Sequence, residues 1–135
     1  MGNISNNSGV YYVRGRTGLL TGVRDAAAAT ADVSYTGLDF TPDFVIMFGQ
    51  MDGGANRVSI GCTDGTTEFS IYQGGTTAHF YYFDGLGVFS EKNGFNQKPS
   101  FKSFDDGGIT ITWTRAASVP ASADMNFVFV LIGSL

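Results

Sequence analysis

Hydrophobic and polar residues alternate along much of this chain in short runs, which is the pattern of β-strands. In the clearest run, Ile109–Thr114, the residues Ile109, Ile111 and Trp113 alternate with threonines. Successive side chains of a strand point to opposite faces, so we expect the apolar residues to face a core and the threonines to face solvent. Val10–Val13 combines β-branched and aromatic residues and predicts another short strand.

Two other runs are apolar without alternation. Phe44–Phe48 and Asn126–Ile132 consist almost entirely of large hydrophobic residues. Such runs are typical of strands that are covered on both faces. We therefore expect the second run to be a central strand, with the core on one side and either the second sheet or another subunit on the other.

Further strands are expected at intervals of roughly ten residues, with Gly-containing turns between them. They are Val33–Tyr35, Arg57–Cys62, Glu68–Tyr72, Ala78–Phe83, Gly87–Phe89 and Phe101–Phe104. Gly15–Gly18 is interpreted as a break, and Arg24–Ala31 as a loop or a single helical turn, because it is too short to form a stable helix alone. Many short strands with almost no helix predict an all-β fold. We expect a single antiparallel β-sandwich of jelly-roll type over residues 10–135.

Composition limits the classes of partner. The chain has 8 Lys or Arg against 12 Asp or Glu, a net charge of −4. Nucleic-acid binding depends on clustered positive charge, so no nucleic-acid partner is expected. Charged residues make up only 15% of the 135 residues. A surface with so few charges suits a protein that is covered by partners in an assembly.

The N-terminus and the longest apolar stretch bear on location. Residues 1–9 are rich in Asn, Ser and Gly and offer only Met1 and Ile4 for burial, so they are expected to form a flexible arm. They show neither the basic region nor the apolar run of a secretory signal. Phe127–Ile132 is far too short to span a bilayer, so no membrane association is expected.

The residues that could carry chemistry are few. The single histidine, His79, and the single cysteine, Cys62, cannot supply a closed zinc site. Asp64, Asp84 and Asp106 each precede a glycine, and turn formation explains them better than a calcium site does. No serine lies in a nucleophile-elbow pattern. We therefore expect no catalytic residue, no metal and no cofactor, and a protein that is not an enzyme.

Two segments carry a resemblance to a known family. They are Tyr35–Met47, with the sequence YTGLDFTPDFVIM, and Phe104–Trp113, with FDDGGITITW, followed later by the apolar strand Phe127–Ile132. Together they resemble a β-module of tailed-bacteriophage virion proteins, over about Val33–Gly133. The resemblance implies a structural virion protein, either a capsid decoration (cement) protein or a fibre tip. Because the chain begins at Met1 and is almost entirely this module, the decoration protein is favoured.

The resemblance also implies partners and a location. The chain would be made in the host cytoplasm and bind the capsid surface, with the major capsid protein and further copies of itself, in a homotrimer, as partners. Symmetric closure would bury the apolar strand, so its subunit contacts are expected to be Phe127, Phe129 and Leu131. Contact with the capsid is assigned to residues near the N-terminus whose types suit interfaces, namely Ile4, Tyr11, Tyr12, Arg14 and Arg16.

A receptor-binding module of a tail fibre or head fibre is the alternative function. Such a module would bind carbohydrate, with Tyr82 and Trp113 stacking on sugar rings. Tyr81 and Tyr82 are adjacent in a predicted strand, so alternation sends their rings to opposite faces. At least one of the two rings is then expected to point away from the core.

Overall fold

The computed structural model is all-β, as the sequence predicts. It describes residues 4–7, 10–13, 15–52, 57–74, 79–89, 97–116 and 123–135, with the backbone alone for 4–7, 10–13, 57, 74 and 79–83. No helix occurs in these ranges, and the structure is built from eleven strands. The strands are β1 (Ile4–Asn7), β2 (Val10–Val13), β3 (Gly15–Asp25), β4 (Ala31–Thr36), β5 (Phe44–Met51), β6 (Arg57–Thr63), β7 (Glu68–Gly74), β8 (His79–Phe83), β9 (Gln97–Asp105), β10 (Gly108–Arg115) and β11 (Asp124–Ser134).

The strands form two large antiparallel sheets that pack on each other. The larger sheet has six strands in the order β3-β11-β5-β6-β7-β8, and the smaller has three in the order β4-β10-β9. β1 and β2 pair only with each other, in a separate two-stranded sheet. The predicted sandwich is confirmed. The jelly-roll order is not confirmed, because β5, β6, β7 and β8 follow one another as a meander within a single sheet.

The core lies between the two large sheets. Ile109, Ile111 and Trp113 of β10 are fully buried, which confirms the inward face predicted for that strand. The expectation that its threonines face solvent is wrong for Thr110, which is buried between its two neighbouring strands and bonds to Ser34 and Asp105. They pack against the inward residues of β11 and β5. The buried apolar residues of those two strands are Val45, Met47, Met51, Met125, Phe127, Phe129 and Leu131.

A buried loop, rather than a strand, covers the inner side of the larger sheet at β6. Residues 85–89 are buried, and Phe89 makes only an isolated bridge to Gln97. The Leu86 N–H donates to the Pro99 carbonyl (3.0 Å), and the Val88 N–H donates to Ser59 Oγ (3.0 Å). The prediction of a strand at Gly87–Phe89 is therefore wrong. These residues bond to two separate residues of β9 and to one side chain of β6 instead of pairing along a ladder.

The Asp-Gly turns behave as the sequence predicts. Gly65 and Gly107 have φ values of 87° and 80°, in the left-handed region that glycine tolerates best. In the first turn, Asp64 Oδ1 accepts hydrogen bonds from the backbone N–H groups of Thr66 and Thr67, both at 2.9 Å. Asp64 therefore has a structural role in ordering the turn between β6 and β7.

The start of the sandwich differs from the prediction. Gly15–Gly18, interpreted as a break, opens β3, which continues without interruption to Asp25. The expected loop or helical turn after Arg24 is a loop, with a turn at residues 26–27. The segment expected to be a flexible arm contributes β1, which pairs with β2.

Candidate interaction surface

The six-stranded sheet carries a broad apolar surface on the side that faces away from the core. We call this side the outer face. Its exposed large hydrophobic residues are Leu19, Val23, Phe48, Val58, Ile60, Phe69 and Ile71. Half-buried apolar residues lie among them, namely Phe44, Ile46, Cys62, Val128, Val130 and Ile132.

Strand register brings these residues together. Phe48 of β5 lies opposite Val128 of β11 on one side and Ile60 of β6 on the other. Ile60 in turn lies opposite Ile71 of β7. Because residues directly opposite in an antiparallel pair share a face, a continuous apolar row crosses four strands.

The outer face explains the runs that are apolar without alternation. In β5 and β11, every second residue belongs to the core, and the residues between them lie on the outer face. Phe48 is 40% exposed, so the expectation that Phe44–Phe48 is covered on both faces is wrong for a single chain. The outer face of β5 is as apolar as a covered surface, but in a single chain it is open to solvent at Phe48.

The exposed area is close to what a protein interface needs. The seven exposed residues have exposed fractions of 38–65%. If a fully exposed residue of this size presents about 150–250 Å², these fractions correspond to about 500–840 Å². A standard interface buries about 800 Å² on each partner. A contiguous apolar patch of several hundred Å² on a monomer marks an interaction site.

A shallow groove of about 930 Å³ crosses the outer face. Its apolar walls are formed by Val23, Phe48, Val58, Ile60 and Val128. Among the described outward residues of β3, β11, β5, β6 and β7, charged side chains occur only at strand ends, at Asp25 and Asp124. The centre of this surface therefore offers packing contacts and no charge to bind an ionic ligand.

The residues expected to form the trimer contact lie elsewhere. Phe129 and Leu131 are completely buried and Phe127 is 5% exposed, all within the core of a single chain. Phe127 and Phe129 also contact the ring of Tyr35, from the opposite sheet. In the folded chain these side chains are not accessible to a second subunit. The residues of β11 that can reach a partner are their neighbours on the outer face.

The residues assigned to capsid contact are only partly described. Arg16 lies in β3, where its guanidinium donates to the Asp39 carbonyl (2.9 Å) and lies 3.8 Å from the Asp39 carboxylate. Both side chains are well exposed, and such a surface ion pair contributes little to stability. Arg14 and the side chains of Ile4 in β1 and of Tyr11 and Tyr12 in β2 fall outside the described part of the structure.

The residues proposed to stack on sugars are not brought together. Trp113 is 0% exposed. Its Nε1–H donates to Tyr35 Oη (3.0 Å), its ring contacts Phe127, and the Arg24 guanidinium carbon lies 5.2 Å from the ring centroid. A sugar ring therefore cannot reach Trp113. Tyr82 lies in β8, but its side chain is outside the described part of the structure.

The shifted titratable groups have structural explanations. Burial raises the pKa of Tyr35, and burial also raises the pKa of Glu68. Hydrogen bonds from Lys102 and Thr112 lower the pKa of the exposed Asp32 carboxyl. No group of three or more metal-ligating side chains occurs within the described ranges. These groups order the sandwich, and the outer face remains the candidate site.

Comparison with protein-family models, with curated proteins and with solved structures finds no match for this chain. In the part of the chain that the structure describes, no helix has the length and apolar character needed to cross a membrane. The outer face was not identified from the sequence, although Val58 and Ile60, and Phe69 and Ile71, carry a visible alternation. That signal marks one apolar face in each strand, with Ser59, Gly61 and Ser70 on the other face, and alternation alone would assign the apolar face to the core.

Proposed function

We propose that this chain is a structural, non-enzymatic protein that binds other proteins through its outer face. The observation that carries the proposal is the row of apolar residues across β11, β5, β6 and β7, which is exposed at Phe48, Ile60 and Ile71. Burying such a row on folding or association is favourable in proportion to the apolar area removed from water. A partner with a matching apolar surface would supply the cover that the smaller sheet gives to the inner face.

The setting we propose is a virion, with the chain as a decoration protein that binds and stabilises the head shell. Two observations support this setting. The first is the resemblance to phage virion modules over about Val33–Gly133. The second is the low fraction of charged residues, 15%, which favours a surface that is covered in an assembly. The major capsid protein is then the partner that contacts the outer face.

The carbohydrate-binding alternative was based on two aromatic residues, Tyr82 and Trp113. One of them, Trp113, is buried in the core and cannot contact a sugar. An apolar, uncharged sheet face also suits a protein partner better than a sugar. Sugar sites depend on placed polar groups as well as aromatic rings. We therefore prefer shell binding to receptor binding.

A charge placed on the outer face tests the proposal. Ile60→Lys puts a positive charge in the middle of the apolar row, where a bound partner would have to desolvate it. Thr36→Lys is the matched control, because Thr36 is exposed on β4 in the other sheet. Circular dichroism would first establish that both variants are folded.

The readout is occupancy on purified shells of the virus that encodes the chain, measured by co-sedimentation. We expect Ile60→Lys to bind at least tenfold more weakly than the unmodified chain, a change of about 1.4 kcal/mol. Thr36→Lys should bind as the unmodified chain does. Equal binding by the two lysine variants would exclude the outer face as the contact surface.

A further inference from the structure

β3 forms an open edge of the six-stranded sheet. It pairs with β11 over eleven consecutive residues, from Gly15 to Asp25, without any shift of register. In the described part of the chain, β11 is its only neighbour in the sheet. Every second residue of an edge strand directs its backbone N–H and C=O groups away from the sheet, so this edge can accept a further strand.

The devices that usually protect an edge strand are missing from the middle of β3. It contains no proline, no lysine and no bulge. Its two arginines lie near its ends and are held by their own chain. Arg16 donates to the Asp39 carbonyl and Arg24 to the Ala29 carbonyl (2.6 Å). An unprotected edge of this length is a template for pairing with another chain.

Side-chain exposure on the outer face rises at this edge. Leu19 and Val23, both in β3, are each 65% exposed, whereas the exposed apolar residues of β5, β6 and β7 lie at 38–44%. The interior residues are flanked by a strand on each side, and Leu19 and Val23 are flanked on one side only. A strand added beyond β3 would cover both of these side chains.

The sequence of β3 is complementary to itself in one antiparallel register. With the two-fold axis at Thr21, Leu19 lies opposite Val23 of the second copy, and Arg24 lies opposite Gly18. A two-fold axis at Leu20 would instead place Arg16 opposite Arg24, and like charges directly opposite each other are destabilising. The register centred on Thr21 therefore pairs the exposed apolar residues and separates the arginines.

We propose that two copies of this chain associate through their β3 edges in the register centred on Thr21, which joins the two six-stranded sheets into one. Residues 17–25 of each copy would form about eight to ten backbone hydrogen bonds. This pairing does not depend on shell binding, because it leaves β5, β6 and β7 free to contact another protein. Such a contact has two-fold symmetry and predicts a dimer rather than the trimer that the resemblance implies.

A cysteine on the axis tests this register. Residues directly opposite in an antiparallel pair have Cα atoms about 4.5–5.5 Å apart, within the range that a disulfide spans. Thr21→Cys, in a Cys62→Ser background, should therefore form a covalent dimer under mild oxidation. Val23→Cys in the same background is the control. Its two copies would lie about 14 Å apart along the strands, too far to be joined.

The outcomes separate this proposal from shell binding. We expect a dimer mass by sedimentation for the unmodified chain, and a disulfide-linked dimer for Thr21→Cys but not for Val23→Cys on a non-reducing gel. Val23→Lys should convert the dimer to a folded monomer, whereas Ile71→Lys on the outer face should leave it dimeric. A monomer or trimer mass for the unmodified chain, or equal crosslinking of the two cysteine variants, would overturn the proposal.

Discussion

Replacing Gln97 by leucine removes a buried polar contact that holds the loop between β3 and β4. Gln97 is 0% exposed. Its Nε2 group donates to the carbonyls of Ala26 (2.9 Å) and Ala28 (2.7 Å), and its Oε1 accepts from Arg24 Nε (3.2 Å). A single amide side chain therefore satisfies two loop carbonyls and orients the guanidinium that lies over the core tryptophan.

The expected cost follows from the groups that leucine leaves without a partner. Leucine is close to glutamine in size, so little cavity forms. The Ala26 carbonyl is fully enclosed and loses its side-chain donor, whereas the Ala28 carbonyl is only part-buried and can regain water. An unsatisfied buried group costs about 1–3 kcal/mol. We therefore expect the free energy of unfolding to fall by about 1–3 kcal/mol.

Urea denaturation followed by circular dichroism measures this change. Gln50→Leu is the matched control, because Gln50 is exposed on the outer face of β5 and the same chemical change there should shift stability by less than about 0.5 kcal/mol. A free energy of unfolding for Gln97→Leu within about 0.5 kcal/mol of that of the unmodified chain would show that the loop does not depend on this amide.

Three further predictions concern packing, pH and the outer face. Gly49→Ala should destabilise the fold by about 1–3 kcal/mol in urea denaturation, because the new Cβ would overlap the ring of Phe89. Burial raises the pKa of Glu68 more than the hydrogen bond from the Phe101 N–H lowers it, so its contribution to stability is lost as pH rises through the folded-state pKa. The stability of Glu68→Gln relative to the unmodified chain should therefore be greater at pH 7 than at pH 3, and the opposite trend would contradict this cause. Ile60→Thr should cost less than about 1 kcal/mol while reducing the binding of a hydrophobic dye, and a larger loss would show that Ile60 supports the monomer.

Alternation in the sequence was sufficient to predict most strands and the inward face of β10. Thr110 and Thr112 lie on the opposite side of β10 from Ile109, Ile111 and Trp113, but Thr110 is buried and bonds to Ser34 and Asp105, because β10 is the central strand of its sheet. β3 was not predicted from the sequence, because Gly18 and Gly22 interrupt the apolar pattern on its inner side. These glycines make room for larger side chains, since a Cβ at Gly22 would overlap the ring of Phe127 and one at Gly18 would overlap Leu38. The residues that require glycine at these two positions belong to other parts of the chain, so the requirement is not visible in the sequence of β3 itself.

The candidate site could be predicted only in part. The sequence shows that β5 and β11 have two apolar faces, but the pattern is the same whether a face meets the second sheet, another subunit or solvent. Phe127 and Val128 illustrate the difficulty, because they are adjacent and both apolar. Which of the two is buried depends on where the three-stranded sheet packs. The expected interface was therefore placed on Phe127, Phe129 and Leu131, one residue out of phase with the exposed face.

A cryo-electron microscopy reconstruction of the assembled particle would show directly which surface of the sandwich contacts another protein. We expect β5, β6 and β7 to lie against the shell, with Phe48, Ile60 and Ile71 buried in the contact. Bound chains whose outer face remains open to solvent, with the shell contacting the three-stranded sheet instead, would contradict this expectation.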